Sequence, residues 1–266
     1  MGTQFGQCGL CQKDAELRDS HLLPAATYRL ARDVGSRDPN PILVTPRGAS
    51  STSKQVSDYF LCHDCEERFS RGGEAYVLGQ CARPNGRFAL RTLLYATSPL
   101  YETPTFKVYD VGGLLGAKVQ QYLYFAASVF WRASARSWSH DGRLIKQIDL
   151  GSLYLQQFRE YLLGSAPFPS NARLFVHVRS DDSAGFATVF PSTSRIKGTL
   201  RHKFCVPGIL FILFLGQQAS HSHDAGALNG SSGHFVWVCP FEADSLFEGF
   251  GKLVRQAQRK GRHDYE

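Results

Sequence analysis

The chain has no long apolar run. Its longest, Cys205 to Leu215, is interrupted by Pro207 and Gly208. It is too short to cross a bilayer and predicts buried strands, so no membrane is expected as a partner. The first residues, Met-Gly-Thr-Gln-Phe-Gly-Gln-Cys, carry no basic segment followed by an apolar one, and no secretory signal is expected. Gly6 stands where an N-myristoylation signal requires Ser or Thr. A Gly-rich phosphate loop, a Gly-x-Ser-x-Gly elbow, a dinucleotide fingerprint and internal repeats are also missing. These absences remove the common nucleotide-binding and serine-hydrolase readings. Seven cysteines, four of them in two Cys-x-x-Cys pairs, do not describe a disulfide frame. They read as metal ligands plus buried thiols, which favours a reducing cytoplasm.

What is present fits a globular α+β protein. At 266 residues the chain can bury a core in one or two domains. Its 43% hydrophobic and 12% aromatic content argues against wholesale disorder. A formal charge of +7 permits contact with nucleic-acid phosphates, although part of the excess lies in the tail at Arg259, Lys260 and Arg262.

The pattern predicts an N-terminal module over residues 1–80 and an α+β domain over 81–266. In the first, a short helix follows Pro24, one strand covers Ile42–Thr45, and a helix runs from Glu66 to Leu78. In the second, Leu115, Val119, Tyr122, Ala126, Val129 or Phe130, and Ala133 recur at helical spacing within a long helix from Leu114 to Trp138. Another helix covers Ser152–Leu163 and ends before Pro167 and Pro169. Strands are expected at Leu174–Val178, Phe186–Phe190, Thr199–Val206, Ile209–Leu215 and His234–Val238, joined as a mostly antiparallel meander. An amphipathic helix over 243–259, with Leu246, Phe247, Phe250 and Leu253 inward, closes the chain.

Cys8 and Cys11 form one pair, Cys62 and Cys65 the other. Two-residue spacing lets one tight turn present both sulfurs, and two such turns complete a tetrathiolate zinc site. Four thiolates leave no position open for water, so that zinc is structural. Gly9 lies inside the first turn, where a positive φ costs little. Cys81, Cys205 and Cys239 read as core thiols.

Between the pairs lies Ser20-His21-Leu22-Leu23-Pro24, and Glu66 directly follows the second pair. With Leu17 and Phe60-Leu61, these residues resemble the zinc-ribbon branch of the HNH (ββα-metal) endonuclease superfamily over residues 1–80. Leu61 to Glu74, Phe125 to Ser134 and Glu160 to Leu163 also resemble a largely uncharacterised bacterial family labelled HNH endonuclease. The resemblance implies a zinc-ribbon/ββα-metal-like module, with His21 as the general base that activates water against a phosphodiester. It also implies a Mg²⁺ or Mn²⁺ ion on the scissile phosphate, with Glu66 at a ligand position. The chain departs from the pattern at Ser20, where Asp, Glu or His is usual, and at the Asn that normally precedes the second pair. Asp58 stands near that Asn position, and Asp58, Glu67 or Glu74 are the candidate substitutes. Asp19 is adjacent to Ser20 but points to the opposite face of an extended strand.

Other candidates are weaker in chemistry. Trp131, Arg132, Arg136 and Trp138 combine rings that stack on unpaired bases with guanidinium groups that pair with phosphate, or else belong to a core helix whose Trp anchors packing and whose Arg snorkels or meets an internal carboxylate. His221-Ser222-His223-Asp224 reads as a solvated loop. Arg195, Lys197, Arg201 and Lys203 form a basic patch beside a strand, suited either to phosphate contact or to guarding a sheet edge. The sequence therefore points to metal-dependent cleavage of nucleic acid, DNA first, with bacterial defence as a role by family analogy. The alternative is a module that binds nucleic acid or a protein partner without cutting, or a subunit of a larger complex. Oligomeric state is not legible.

Overall fold

A computed structural model describes residues 4–32, 40–45, 48–145, 148–181, 187–196 and 199–241. The helix expected over 243–259 and the side chain of Lys197 lie outside them. The protein is mixed α+β, with a cysteine cluster near the N-terminus and a large, mostly antiparallel sheet.

Strands β1 (Gln4–Gln7) and β2 (Asp14–His21) form a hairpin, and Pro24 leads into α1 (Ala25–Leu30). A small hairpin of β3 (Ile42–Thr45) and β4 (Gly48–Ser51) precedes β5 (Ser57–Cys62). β5 returns antiparallel along β2, giving the order β1-β2-β5. A bulge at Arg18/Asp19 shifts the β2–β5 register, so that Leu17 pairs with Cys62 and His21 with Ser57.

Helix α2 (His63–Phe69) starts at the second cysteine pair, passes through a π turn over Ser70–Glu74, and continues as α3 (Ala75–Gln80). Helix was expected over Glu66–Leu78, and helical backbone covers that span, widened at the π turn. The widened turn contains Gly72 and Gly73, and a Cβ on Gly73 would lie 2.4 Å from the Gln121 carbonyl oxygen and 2.8 Å from the Phe125 nitrogen. Bare backbone is what lets the turn lie against the central helix.

Next come α4 (Ala89–Tyr95), β6 (Tyr101–Glu102), β7 (Lys107–Asp110), α5 (Gly112–Leu115) and α6 (Val119–Ala135). The long helix expected from Leu114 breaks at Gly116, whose φ of 50° and ψ of −128° no α-helical residue adopts. From Tyr122 to Ala133 every α6 residue except Tyr124 is buried, as befits a helix covered all round. A short hairpin, β8 (Ser139–His140) with β9 (Arg143–Leu144), leads to α7 (Gly151–Leu163), which matches the predicted helix.

The remaining strands are β10 (Ala172–Arg179), β11 (Val189–Ile196), β12 (Thr199–Val206), β13 (Ile209–Leu215) and, after α8 (Gln217–Ser222), β14 (Phe235–Cys239). The seven-stranded sheet has the order β11-β12-β13-β10-β14-β7-β6. Its neighbours are antiparallel except β10 and β14. β12 and β13 fall where the pattern put them; of the strand expected over Phe186–Phe190, Phe186 lies outside the described residues, and β11 starts at Val189. The parallel β10–β14 pair and the added β7 and β6 depart from a meander, because these pairings join segments far apart in sequence.

Buried residues from Cys8 to Val238 form one continuous cluster. Phe125 and Phe130 of α6 meet Phe204 and Phe211 on the inner sheet face at ring-centroid distances of 4.9–5.9 Å. Trp131, on the same helix, stacks on Phe60 of β5 at 5.5 Å. The central helix thus packs against both sheets. The outer face of the large sheet carries a second cluster around Cys205, Leu210, Ile212, Phe214, Ala219 and Phe241.

Candidate metal centre and the His21 strand end

The sulfurs of Cys8, Cys11, Cys62 and Cys65 all lie within 4.8 Å of one another. Zinc held tetrahedrally at Zn–S of about 2.3 Å sets its sulfurs roughly 3.8 Å apart, and Cys11 Sγ lies 3.9 Å from Cys62 Sγ. A disulfide would require about 2.05 Å, and all four are free thiols. The donor set and its spacing fit Zn²⁺.

The β1–β2 turn and the β5–α2 junction present the two pairs. Cys8 N–H donates to the Lys13 carbonyl and Gln12 N–H to the Cys8 carbonyl, each at 2.9 Å. The positive φ of this turn falls on Gln12, at 62°, and not on Gly9. Gly9 serves close approach instead, because a Cβ there would lie 2.0 Å from the Phe60 ring. Arg159 of α7 clamps the same turn by donating to the Leu10 carbonyl at 2.6 Å. Cys62 N–H donates to Cys8 Sγ at 3.3 Å.

These thiols do not titrate alike. The Cys65 thiol, donating to Cys8, holds the Cys8 thiol down to about 4 despite its burial, while Cys65 itself is driven up by giving that hydrogen bond, by burial and by the Cys8 negative charge. The Cys8 thiolate is stabilised, whereas Cys65 and, chiefly through burial, Cys62 resist ionisation. A divalent cation is the partner that would let all four ionise together. The cluster borders a polar cleft of about 640 Å³ lined by Lys13, Glu16, Arg18, His63, Asp64 and Arg68, among others.

His21 ends β2, with its ring partly buried and 6.4 Å from the Tyr28 ring. Burial lowers its pKa below the usual 6.5. The negative charges of Asp19 and Glu66 work against that shift, and Arg132 and Arg29 reinforce it. Glu66 sits in the first turn of α2, and its Oε1 is buried with no hydrogen-bond partner.

Ser20 is fully buried. Its Oγ accepts the Leu61 N–H at 3.0 Å and donates to the Arg18 carbonyl at 3.3 Å. The hydroxyl is a cross-strand structural group turned away from the exposed Asp19. Asp58 accepts from Arg136 Nε at 3.0 Å and from the Tyr59 N–H at 2.8 Å. Glu74 pairs with the buried Arg132, and its carboxyl is pushed up by burial while Arg132 pulls it down. Glu67 pairs with Arg71. Among the described residues, only the four cysteines form a set of three or more His, Cys, Asp or Glu donors close enough to share an ion.

The other candidates disperse. Trp131 and Trp138 are each 2% exposed and belong to the core. Arg195 is exposed, whereas Arg201 is 9% and Lys203 3% exposed, so these two do not extend an open basic face. Asp224 binds Arg173 at 2.6 Å, and the stretch read as a loop begins as the end of α8. Sequence reasoning missed Arg29 and Tyr28, which α1 brings to His21. Arg132, read as a core-helix residue that snorkels or meets an internal carboxylate, does the latter by pairing with Glu74.

A scan of protein-family models finds no match to this chain, and searches of curated proteins and of solved structures find none either.

Proposed function

We propose that the protein is a metal-dependent nuclease of the HNH kind that hydrolyses nucleic-acid phosphodiesters, DNA first. The observation that carries this reading is His21 within electrostatic reach of Glu66: a partly buried imidazole held neutral near pH 7, and a carboxylate with one buried oxygen lacking a partner. The arrangement of β2, β5 and α2, with both cysteine pairs at one end of the β2–β5 ladder and His21 at the other, supports a zinc-ribbon/ββα-metal-like module. Neutral His21 would take a proton from the attacking water. Glu66 would hold Mg²⁺ or Mn²⁺, whose role is to neutralise charge on the phosphate. Mg²⁺ commonly keeps several waters and uses only one or two carboxylates, so one available carboxylate suits it. Arg29, exposed and close enough to influence His21 electrostatically, is suited to a neighbouring phosphate. Asp58 and Glu74, already held by guanidinium groups, are counter-ions in this reading. Zinc stays structural.

Zinc-loaded full-length protein should nick supercoiled plasmid in Mg²⁺ or Mn²⁺, and His21→Ala should lower the rate about 100-fold or more. Because burial depresses the His21 pKa, cleavage should persist below pH 6.5 and fall only as the ring becomes protonated. Failure to cut single- and double-stranded DNA and RNA, or cutting unchanged by His21→Ala, would contradict the proposal. A second reading, binding without cutting, is favoured by the inward Ser20 and the lack of a second convergent donor set among the described residues. It predicts salt-sensitive retention of nucleic acid with no product.

A further inference from the structure

Arg132 is a cation 1% exposed within α6, a helix buried on nearly every side. Each of its guanidinium nitrogens donates. Nε reaches the Ser128 carbonyl at 3.3 Å, and Nη1 the His21 carbonyl at 2.8 Å. Nη2 reaches Glu74 and, at 3.3 Å, Ser128 Oγ. The group lies 5.0 Å above the Phe69 ring, and the Arg132 carbonyl accepts the Trp138 indole N–H at 2.9 Å. One side chain therefore ties α6 to the π turn and to the last residue of β2.

Stability alone is a poor explanation for this arrangement. Desolvating two ions offsets much of their attraction, and an apolar pair of similar volume often serves as well. The contact with His21 is more specific. Its carbonyl belongs to the same peptide unit as the Leu22 N–H, which donates to the Val56 carbonyl at 3.0 Å. That peptide is thus held from both sides, by Arg132 and by Val56. Val56 is held in turn, because its N–H donates to Tyr28 Oη at 3.2 Å. Fixing this peptide fixes the backbone from which the imidazole projects, where β2 has ended and no further β5 residue pairs with it.

We propose that Arg132 is a positioning residue that aims the His21 ring, with Glu74 as its buried counter-ion. The proposal rests on the reading of His21 as general base. Glu74 sits at the end of a π turn, an irregularity often found at functional sites. Here that turn delivers the carboxylate to Arg132.

Removing only one partner would leave a buried charge and could unfold the chain. The test therefore uses two variants of the zinc-loaded full chain, Arg132→Met/Glu74→Gln and Arg132→Lys. The first removes both charges. The second keeps the cation but lacks the planar fork that reaches His21, Ser128 and Glu74 together. For each, thermal melting establishes folding, and two-dimensional NMR reads the nuclear Overhauser contact between the His21 and Tyr28 rings. Plasmid cleavage gives kcat and KM. In whichever variant is folded, we expect the ring contact to weaken and kcat to fall at least tenfold with KM unchanged. A folded variant that retains both the contact and kcat overturns the proposal. Should wild-type protein cut nothing, the general-base reading fails, and the ring contact alone decides whether Arg132 positions His21.

Discussion

At Ser20, one hydroxyl shows why residue type and residue role can part. Its Oγ is fully spent on the β2–β5 ladder, accepting the Leu61 N–H. Ser20→Ala should orphan that buried donor and lower stability by about 1–3 kcal/mol in urea unfolding. A loss within error would show that the bond has no structural value. The cysteine ligand set was legible, because soft thiolates at two-residue spacing leave few alternatives. The occupancy of the carboxylates was not. Asp58 and Glu74 looked available in sequence, but the arginines that hold them lie 78 and 58 residues away. Gly9 was also misread in mechanism: sequence supplies the glycine, but only packing supplies the Phe60 ring that requires it.

Among the elements, those governed by local rules were read well. α7 ends before Pro167 and Pro169 as expected, at Gly164, whose φ of 77° makes a left-handed cap. The apolar run gave β13, and β12 fell where the strand pattern put it despite its Arg201, His202 and Lys203. The helix expected from Glu66 to Leu78 is helical throughout but widened at Gly72 and Gly73, and the one expected from Leu114 breaks at Gly116, effects that periodicity alone does not weigh. The π turn is the more telling case, because its cause is contact with α6 and not local propensity. Gly73→Ala should force a Cβ into the Gln121 carbonyl and the Phe125 nitrogen, neither of which can rotate away. Overpacking of this kind costs about 1–3 kcal/mol, measurable as a lower melting temperature. An unchanged melt would mean that the π turn does not depend on this backbone approach.

The molecule as a whole is organised around α6. One side receives the large sheet through Phe125 and Phe130. Another receives Phe60 through Trp131, and Arg132 reaches the end of β2. No helix among the described residues is long and apolar enough to cross a membrane. Sequence could announce a mixed α+β chain, but strand order depended on pairings such as parallel β10–β14 and antiparallel β7–β14, which no local pattern encodes. The cysteine cluster fastens the β1–β2 turn to the start of α2, so everything proposed for the strand end at His21 depends on that fastening. X-ray absorption at the zinc edge, on protein purified without chelators, measures it directly. The account predicts one zinc per chain with four sulfur neighbours at about 2.3 Å; protein without metal, or with these cysteines joined as disulfides, would contradict it.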